Sequence, residues 1–330
     1  MSNKIDKPKL TPKKLVEKMR DEKGIVFNYI SEDEAEEFLE SHNNYLRTAC
    51  YRVVYPKYQA GSNKGKYINL DFAYLKELSI IDMHYRFIVK RMCSDIEHSL
   101  CVMLLKQIDY DATTDGYDIV EKFLSSHKYV INNLERSIGS PHIGDLIKKY
   151  FTVSSNVNAG TGKIVSNISS YDDCPAWVFV ECLTFGDLLE FYSFYVKSRK
   201  ISLPTTWETL NLVKNLRNGA SHDVCLLSHL QAGTSIPSKE ITLAVKSIPI
   251  ITTSQRQKKL SSRTVLEFVA LIYLYSQVVH GEVRKHGVKD LEDLFFERLP
   301  KKKEFFQDNE IICSTYKFCC EIIKYYLLAH

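Results

Sequence analysis

Between Gly65 and Gly116 the chain carries neither glycine nor proline, and apolar residues recur at Leu75, Leu78, Ile81, Tyr85, Ile88, Met92, Ile96, Leu100 and Leu104. Steps of three and four mark one stripe of an amphipathic helix. One long helix is therefore expected, with Lys76, Asp82, Arg86, Lys90 and Glu97 on its polar face. Upstream, Thr11-Pro12 reads as an N-cap followed by proline at the first helical position, after a flexible basic tail of ten residues. Ser31-Glu-Asp-Glu34 is a capping box that opens a second helix, and a third is expected over Asn43 to Tyr55.

Downstream, the same spacing predicts helices over Asp118 to Arg136, Ala176 to Lys200, Thr264 to Lys285 and Ile311 to Leu328. Thr205-Thr-Trp-Glu208 reads as a capping box opening a helix that turns Leu210, Val213 and Leu216 to the core. Residues 151–175, rich in Ser, Asn, Gly, Thr and Asp, read as a mobile surface loop, and residues 230–253 as irregular chain or a short strand pair. The Gly-, Lys- and Ser-rich stretch Pro56 to Gly65 reads as a linker. The expected architecture is all-α: a small N-terminal helical module at 1–65 and a helical domain at 66–330.

Bulk composition narrows the class. Across 330 residues, 45% are hydrophobic and 25% charged, values of a globular protein with a sizeable core. The nine cysteines are odd in number and show no C-x-x-C, and the N-terminus is polar and lysine-rich with no signal peptide visible, so free thiols in a reducing cytoplasm are expected. Apolar stretches are interrupted by Glu181, Glu267 and Gln277, so no membrane-spanning helix is expected. A net charge of +4 is only mildly basic. The basic clusters at Lys4 to Lys14, at Arg256 to Lys259 with Arg263, and at Pro300-Lys-Lys-Lys303 each fit a solvated face better than a phosphate contact when taken alone.

Candidate chemistry gathers at Leu216-Arg-Asn-Gly-Ala-Ser-His222, an R-x4-H pattern at the end of the capped helix. By itself the pattern fits a helix C-terminus better than a site, with Arg217 and His222 favouring the dipole and Gly219 stopping the helix. Three further segments change the weighting: Cys174-Pro-Ala-Trp-Val-Phe-Val-Glu-Cys-Leu-Thr-Phe-Gly186, Ile81-Asp-Met-His-Tyr-Arg86 continuing to Ile96-Glu97, and Asn43-Asn-Tyr-Leu-Arg47. Together with Trp207 ten residues before Arg217, these segments resemble, in order, the signature of Abi-like abortive-infection proteins of the AbiD/AbiF type, within the HEPN superfamily. The chain departs from that pattern after the motif, where Asp223 stands in place of a second histidine and no Arg-Leu-Trp follows.

The resemblance implies a HEPN-type helical bundle and metal-independent endoribonuclease activity in phage defence, leaving a 2′,3′-cyclic phosphate. Arg217 and His222 are then the catalytic pair. Histidine titrates near neutrality and can pass protons, while arginine offers a fixed cationic fork to phosphate oxygens. Asn218 is a supporting residue that orients one or the other. RNA is the expected partner, including a structured small regulatory RNA, and neither cofactor nor metal is needed. Positions five apart on a helix lie about 140° apart and do not share a face. Either Gly219 ends the helix and lets the pair converge, or, as the resemblance implies, two chains pair about a two-fold axis to form one composite site. A non-catalytic RNA-binding protein using the same dimer groove is the alternative, and a helical protein-binding scaffold a third.

Other patterns are weaker. Asp109-Tyr-Asp111-Ala-Thr113 matches a phosphatase D-x-D-x-T but ends a helix rather than a strand, so a surface turn is expected. His222, Cys225 and His229 have zinc-ligand chemistry, but no fourth ligand completes the set. Phe191-Tyr-Ser-Phe-Tyr195 reads as a buried helix face rather than a base-stacking platform.

Overall fold

A computed structural model describes residues 8–157, 160, 164–202 and 204–329, and among these it contains fifteen α-helices and one two-stranded sheet. The all-α expectation is met. The chain divides into two compact units, one formed by 1–93 with 211–330 and the other by 94–210. The first sixty-five residues belong to the former. Most of the basic tail expected at the N-terminus, residues 1–7, lies outside the described residues.

In the first unit α1 spans Pro12–Asp21, α2 Glu32–Glu37 and α3 Tyr45–Cys50, and α4, Phe72–Asp109, starts there and continues into the second. Each short helix is started by a side chain. Thr11 caps α1, with the Lys14 N–H donating to its hydroxyl at 3.4 Å. Ser31 and Glu34 form the reciprocal capping box of α2 at 3.2 and 2.7 Å. The Asn44 amide oxygen accepts the Arg47 N–H at 3.0 Å to open α3. Along the 38 residues of α4 the predicted stripe is buried, except that Val89 takes the place of Ile88. The expected polar face is only partly polar-exposed, because Asp82 and Arg86 are buried as a pair. That is a correction to amphipathic patterning, which treats every charge as solvent-facing.

In the second unit α5 spans Asp118–Ser126, α6 Lys128–Ser137 and α7 Gly144–Tyr150. They are followed by β1 Thr152–Val157, β2 Ile164–Ser170, α8 Ala176–Cys182 and α9 Phe185–Arg199. The helix expected over Asp118 to Arg136 is broken at His127, where the Ser126 hydroxyl donates to the Lys122 carbonyl at 3.0 Å and the His127 ring bonds the Phe123 carbonyl, also at 3.0 Å. Side chains that bond the last carbonyls compete with the helix for them. The helix expected over Ala176 to Lys200 is likewise two, because Thr184 caps a new start by accepting the Asp187 N–H at 3.3 Å. Within the stretch 151–175, expected to be loop, Thr152–Val157 and Ile164–Ser170 form the antiparallel pair β1–β2. The β-branched residues Thr152, Val153, Val157 and Ile168 outweigh the intervening serines and asparagines there.

Phe123, Phe179 and Phe191 meet with ring centroids 5.0 to 5.9 Å apart at the centre of this unit, and Tyr192 and Tyr195 are buried beside them. Asp111 ends α4 by accepting the Thr113 N–H at 2.9 Å and the Arg199 Nε at 2.5 Å, so the D-x-D-x-T segment is a turn. At Gly144 an added Cβ would stand 2.4 Å from the Ile138 carbonyl oxygen. Gly144→Ala is therefore expected to destabilise this unit by about 1–3 kcal/mol, because backbone has to shift. The readout is the thermal midpoint followed by circular dichroism.

The chain leaves the second unit through α10, Trp207–Ser221, whose first turn is capped by Thr206: its hydroxyl accepts the Thr209 N–H at 3.4 Å. Then follow α11 Lys239–Lys246, α12 Thr253–Leu260, α13 Arg263–Val278, α14 Gly281–Glu292 and α15 Glu310–Ile323. α11 occupies a stretch expected to be irregular or extended, where the Ser238 hydroxyl accepts the Ile241 N–H at 3.3 Å and outweighs β-branched propensity. α13 is the most enclosed element and ends at Val278, short of the predicted Lys285. Lys259 is no part of an open basic face. It is buried against α15 and donates to the Ser314 and Thr315 hydroxyls at 2.7 and 2.8 Å. Among the described residues no helix is long and apolar enough to cross a membrane.

Candidate functional site

Leu210, Val213, Leu216 and Ala220 fix the orientation of α10, all four fully buried at helical spacing. Asn218 and His222 are thereby exposed and Arg217 half-exposed. Gly219 does not end the helix, contrary to one of the two routes open from sequence. The helix continues to Ser221, and the missing Cβ instead admits Leu226, whose Cδ2 would lie 3.2 Å from it. Two residues past the end of α10, Asp223 takes the left-handed conformation with φ 54°. The Asp223 N–H donates to the Ala220 carbonyl at 3.2 Å and the Val224 N–H to the Gly219 carbonyl at 2.9 Å. This is a Schellman closure with aspartate where glycine is usual.

Cations hold that closure in place. The Arg47 Nη2 donates to the Asp223 carbonyl, while Lys90 Nζ and Arg86 Nε lie 3.4 and 3.6 Å from its carboxylate. Lys90 first, with Arg86 and Arg47, holds the Asp223 carboxyl below its ordinary value near 3.8. Beneath it, the buried Asp82 ties α4 to the chain at Tyr51 and at Leu227. Its Oδ1 accepts the Leu227 N–H at 2.8 Å, and its Oδ2 accepts the Tyr51 hydroxyl at 3.0 Å and Arg86 Nη1. Burial pushes the Asp82 carboxyl up, against the Leu227 N–H and Arg86, which favour its charge. Arg47, Asp82 and Arg86 come from two of the sequence segments that accompany the motif, and their common task is to fasten the corner after His222.

The Asp223 pairing yields a prediction with a definite sign. Its folded-state pKa is lowered, so its stabilisation is present above pH 3.8 and is lost as pH falls through the lower, folded value. Asp223→Asn keeps a side chain that tolerates the left-handed conformation and removes only the charge. The variant is expected to lose about 1 kcal/mol or less at neutral pH, because the carboxylate is half-exposed, and the gap to wild type should close under acid. Urea unfolding at pH 7 and pH 3 measures both.

One side of α10 faces a groove of about 490 Å³ lined by Asn218, His222, His229, Arg263 and Glu267. Arg217 is not among its lining residues. The Arg217 Nη1 donates to the Asn218 side-chain oxygen at 3.4 Å, while the Asn218 carbonyl accepts the His222 N–H at 2.9 Å. Asn218 thus touches both, but in one chain the regular helix keeps Arg217 and His222 on different faces. Glu267 is buried, accepts Arg263 Nε at 2.8 Å, and has its carboxyl pushed up by burial. In the sequence Glu267 stands out only as an interruption, and a lone acid inside an apolar helix is the signal that marks it. Among the described residues no group of three or more His, Cys, Asp or Glu is placed to hold a metal ion.

The chain belongs to a recognised family: the pattern of the Abi-like protein family matches residues 37–228, more than half of its length. That match begins in α2, ends in the turn after the motif, and includes Arg47, Asp82, Arg86, Arg217 and His222. No curated protein and no solved structure matches the chain.

Proposed function

We propose that this Abi-like protein is a metal-independent endoribonuclease of the HEPN type, acting in the cytoplasm as the effector of abortive-infection phage defence. The observation that carries the reading is the placement of the motif. His222 and Asn218 are exposed on the wall of a groove, with Arg217 half-exposed beside them, at a helix end that three cations and a buried carboxylate hold fixed. A helix terminus with only a capping role has no need of an open groove beside its histidine.

RNA supplies its own nucleophile, so the protein has three tasks. It takes a proton from the 2′-hydroxyl, gives one to the departing 5′-oxygen, and steadies the charge on phosphorus. His222 is assigned to proton transfer and Arg217 to the phosphate. Because the two diverge on one helix, the active form is a homodimer in which a two-fold axis brings the arginine of each chain to the histidine of the other. Asn218 orients both. RNA is the proposed substrate and partner, a structured small regulatory RNA included.

A second reading, an RNA-binding protein without catalysis, is favoured by that same divergence within one chain. Induced expression separates the two. Total RNA from cells making the wild type should fragment as growth stops, and RNA from cells making Arg217→Ala/His222→Ala should stay whole. Growth arrest by both proteins with intact RNA would support binding without cleavage.

A further inference from the structure

Two of the nine cysteines, far apart in sequence, meet beside the motif. Cys50 is the last residue of α3, and Cys225 lies three residues beyond His222. The Cys50 thiol donates to the Arg47 carbonyl at 2.9 Å, and the Cys225 sulfur lies 3.9 Å from the same oxygen. Both sulfurs thus lie against one backbone oxygen. The short 3-10 turns that follow them, Tyr51–Val54 and Leu226–His229, pack together, so backbone on both sides holds the thiols close. Both are half-buried, within reach of small solutes, whereas Cys93, Cys174, Cys182, Cys319 and Cys320 are buried.

The surroundings also separate the roles of the two thiols. The Cys225 thiol is lowered, first by its neighbour Cys50, with Tyr51 and Arg47 assisting against its burial. The Cys50 thiol is raised by Cys225 and by burial. A thiolate is the nucleophile in thiol oxidation, so Cys225 is the attacking sulfur and Cys50 the resolving one.

We propose that Cys50 and Cys225 are a peroxide-reactive thiol pair whose disulfide fastens α3 to the corner carrying His222. The Cys225 thiolate attacks one oxygen of hydrogen peroxide. The O–O bond breaks, giving a sulfenic acid on Cys225 and hydroxide, which takes up a proton. The Cys50 sulfur then attacks the Cys225 sulfur and displaces the hydroxyl, which leaves as water with the Cys50 proton. Two thiols and one peroxide become one disulfide and two waters, each sulfur giving up one electron. Arg47 links this pair to the Asp223 clamp, since its carbonyl meets both sulfurs and its guanidinium holds the Asp223 carbonyl. The chemistry does not depend on whether the motif cleaves RNA.

The test uses the folded full-length chain, treated with hydrogen peroxide near stoichiometry, alkylated, digested and analysed by mass spectrometry. The expected product is a Cys50–Cys225 cross-linked peptide, with two of nine thiols protected from alkylation and recovered by dithiothreitol. Half-buried Cys101 and Cys313 serve as internal references and should lag. In Cys50→Ser the link should vanish and dimedone should label Cys225. The amides of residues 222–228 should exchange more slowly in the oxidised wild type. Oxidation of Cys225 no faster than Cys101 and Cys313, with no link to Cys50, would overturn the pair. A link that leaves exchange at 222–228 unchanged would overturn the fastening.

Discussion

His222→Ala is expected to lower RNA cleavage by about 10²–10⁴-fold, the range typical of a lost proton-transfer group. Arg217→Ala should cost about 10²–10³-fold, as the loss of one charge-stabilising donor set does. Folding should be little affected, because both side chains lie off the buried stripe formed by Leu210, Val213, Leu216 and Ala220. The two variants also test the two-fold site. Each is inactive alone, but a mixed dimer of one Arg217→Ala chain and one His222→Ala chain can still bring one arginine and one histidine to the same phosphate. Mixing the inactive proteins should therefore restore part of the activity. Single-turnover cleavage of a labelled RNA, before and after mixing, measures this. An active His222→Ala protein would remove the histidine from the mechanism.

The largest stability effect is expected at Asp82. Replacement by alanine leaves Arg86 buried without its main partner and strands the Leu227 N–H and the Tyr51 hydroxyl. Breaking one side of a buried ion pair typically costs about 3–5 kcal/mol. Asp82→Ala should fall in that range by urea unfolding, with loss of order around the corner after His222. Removing the stranded charge as well, in Asp82→Ala/Arg86→Met, should recover part of the loss, because the penalty comes mainly from the unpaired guanidinium. A double variant less stable than Asp82→Ala alone would show that Arg86 stabilises the corner through Asp223 instead.

Elements set by local chemistry were legible in the sequence. The Thr11-Pro12 start, the Ser31–Glu34 box and the stripe of α4 all appear in the structure, since capping and spacing involve residues a few positions apart. Interruptions at His127 and Thr184 were overlooked, because one serine, histidine or threonine bonding nearby backbone outweighed a continuous apolar pattern. The antiparallel pair β1–β2 is hidden by its small polar residues. At the candidate site, Arg217, Asn218 and His222 are singled out by the motif, and the fold leaves Asn218 and His222 exposed and Arg217 half-exposed. Their surroundings are not legible there, because these depend on residues distant in sequence. Asp223 looked like a departure from a pattern, yet it closes the turn after α10 and gathers Arg47, Arg86 and Lys90. Asp82 looked like surface charge, and only the fold reveals Leu227 and Tyr51 around it. Glu267 and His229 joined the groove for the same reason.

The most direct measurement compares purified wild type with Arg217→Ala/His222→Ala on a labelled single-stranded RNA, in EDTA, with the product ends identified by mass. Wild type should release fragments ending in a 2′,3′-cyclic phosphate, and the double variant should release none. Equal cutting by both proteins, or intact RNA after long incubation with a wild type that binds it, would contradict the assignment of catalysis to these two side chains.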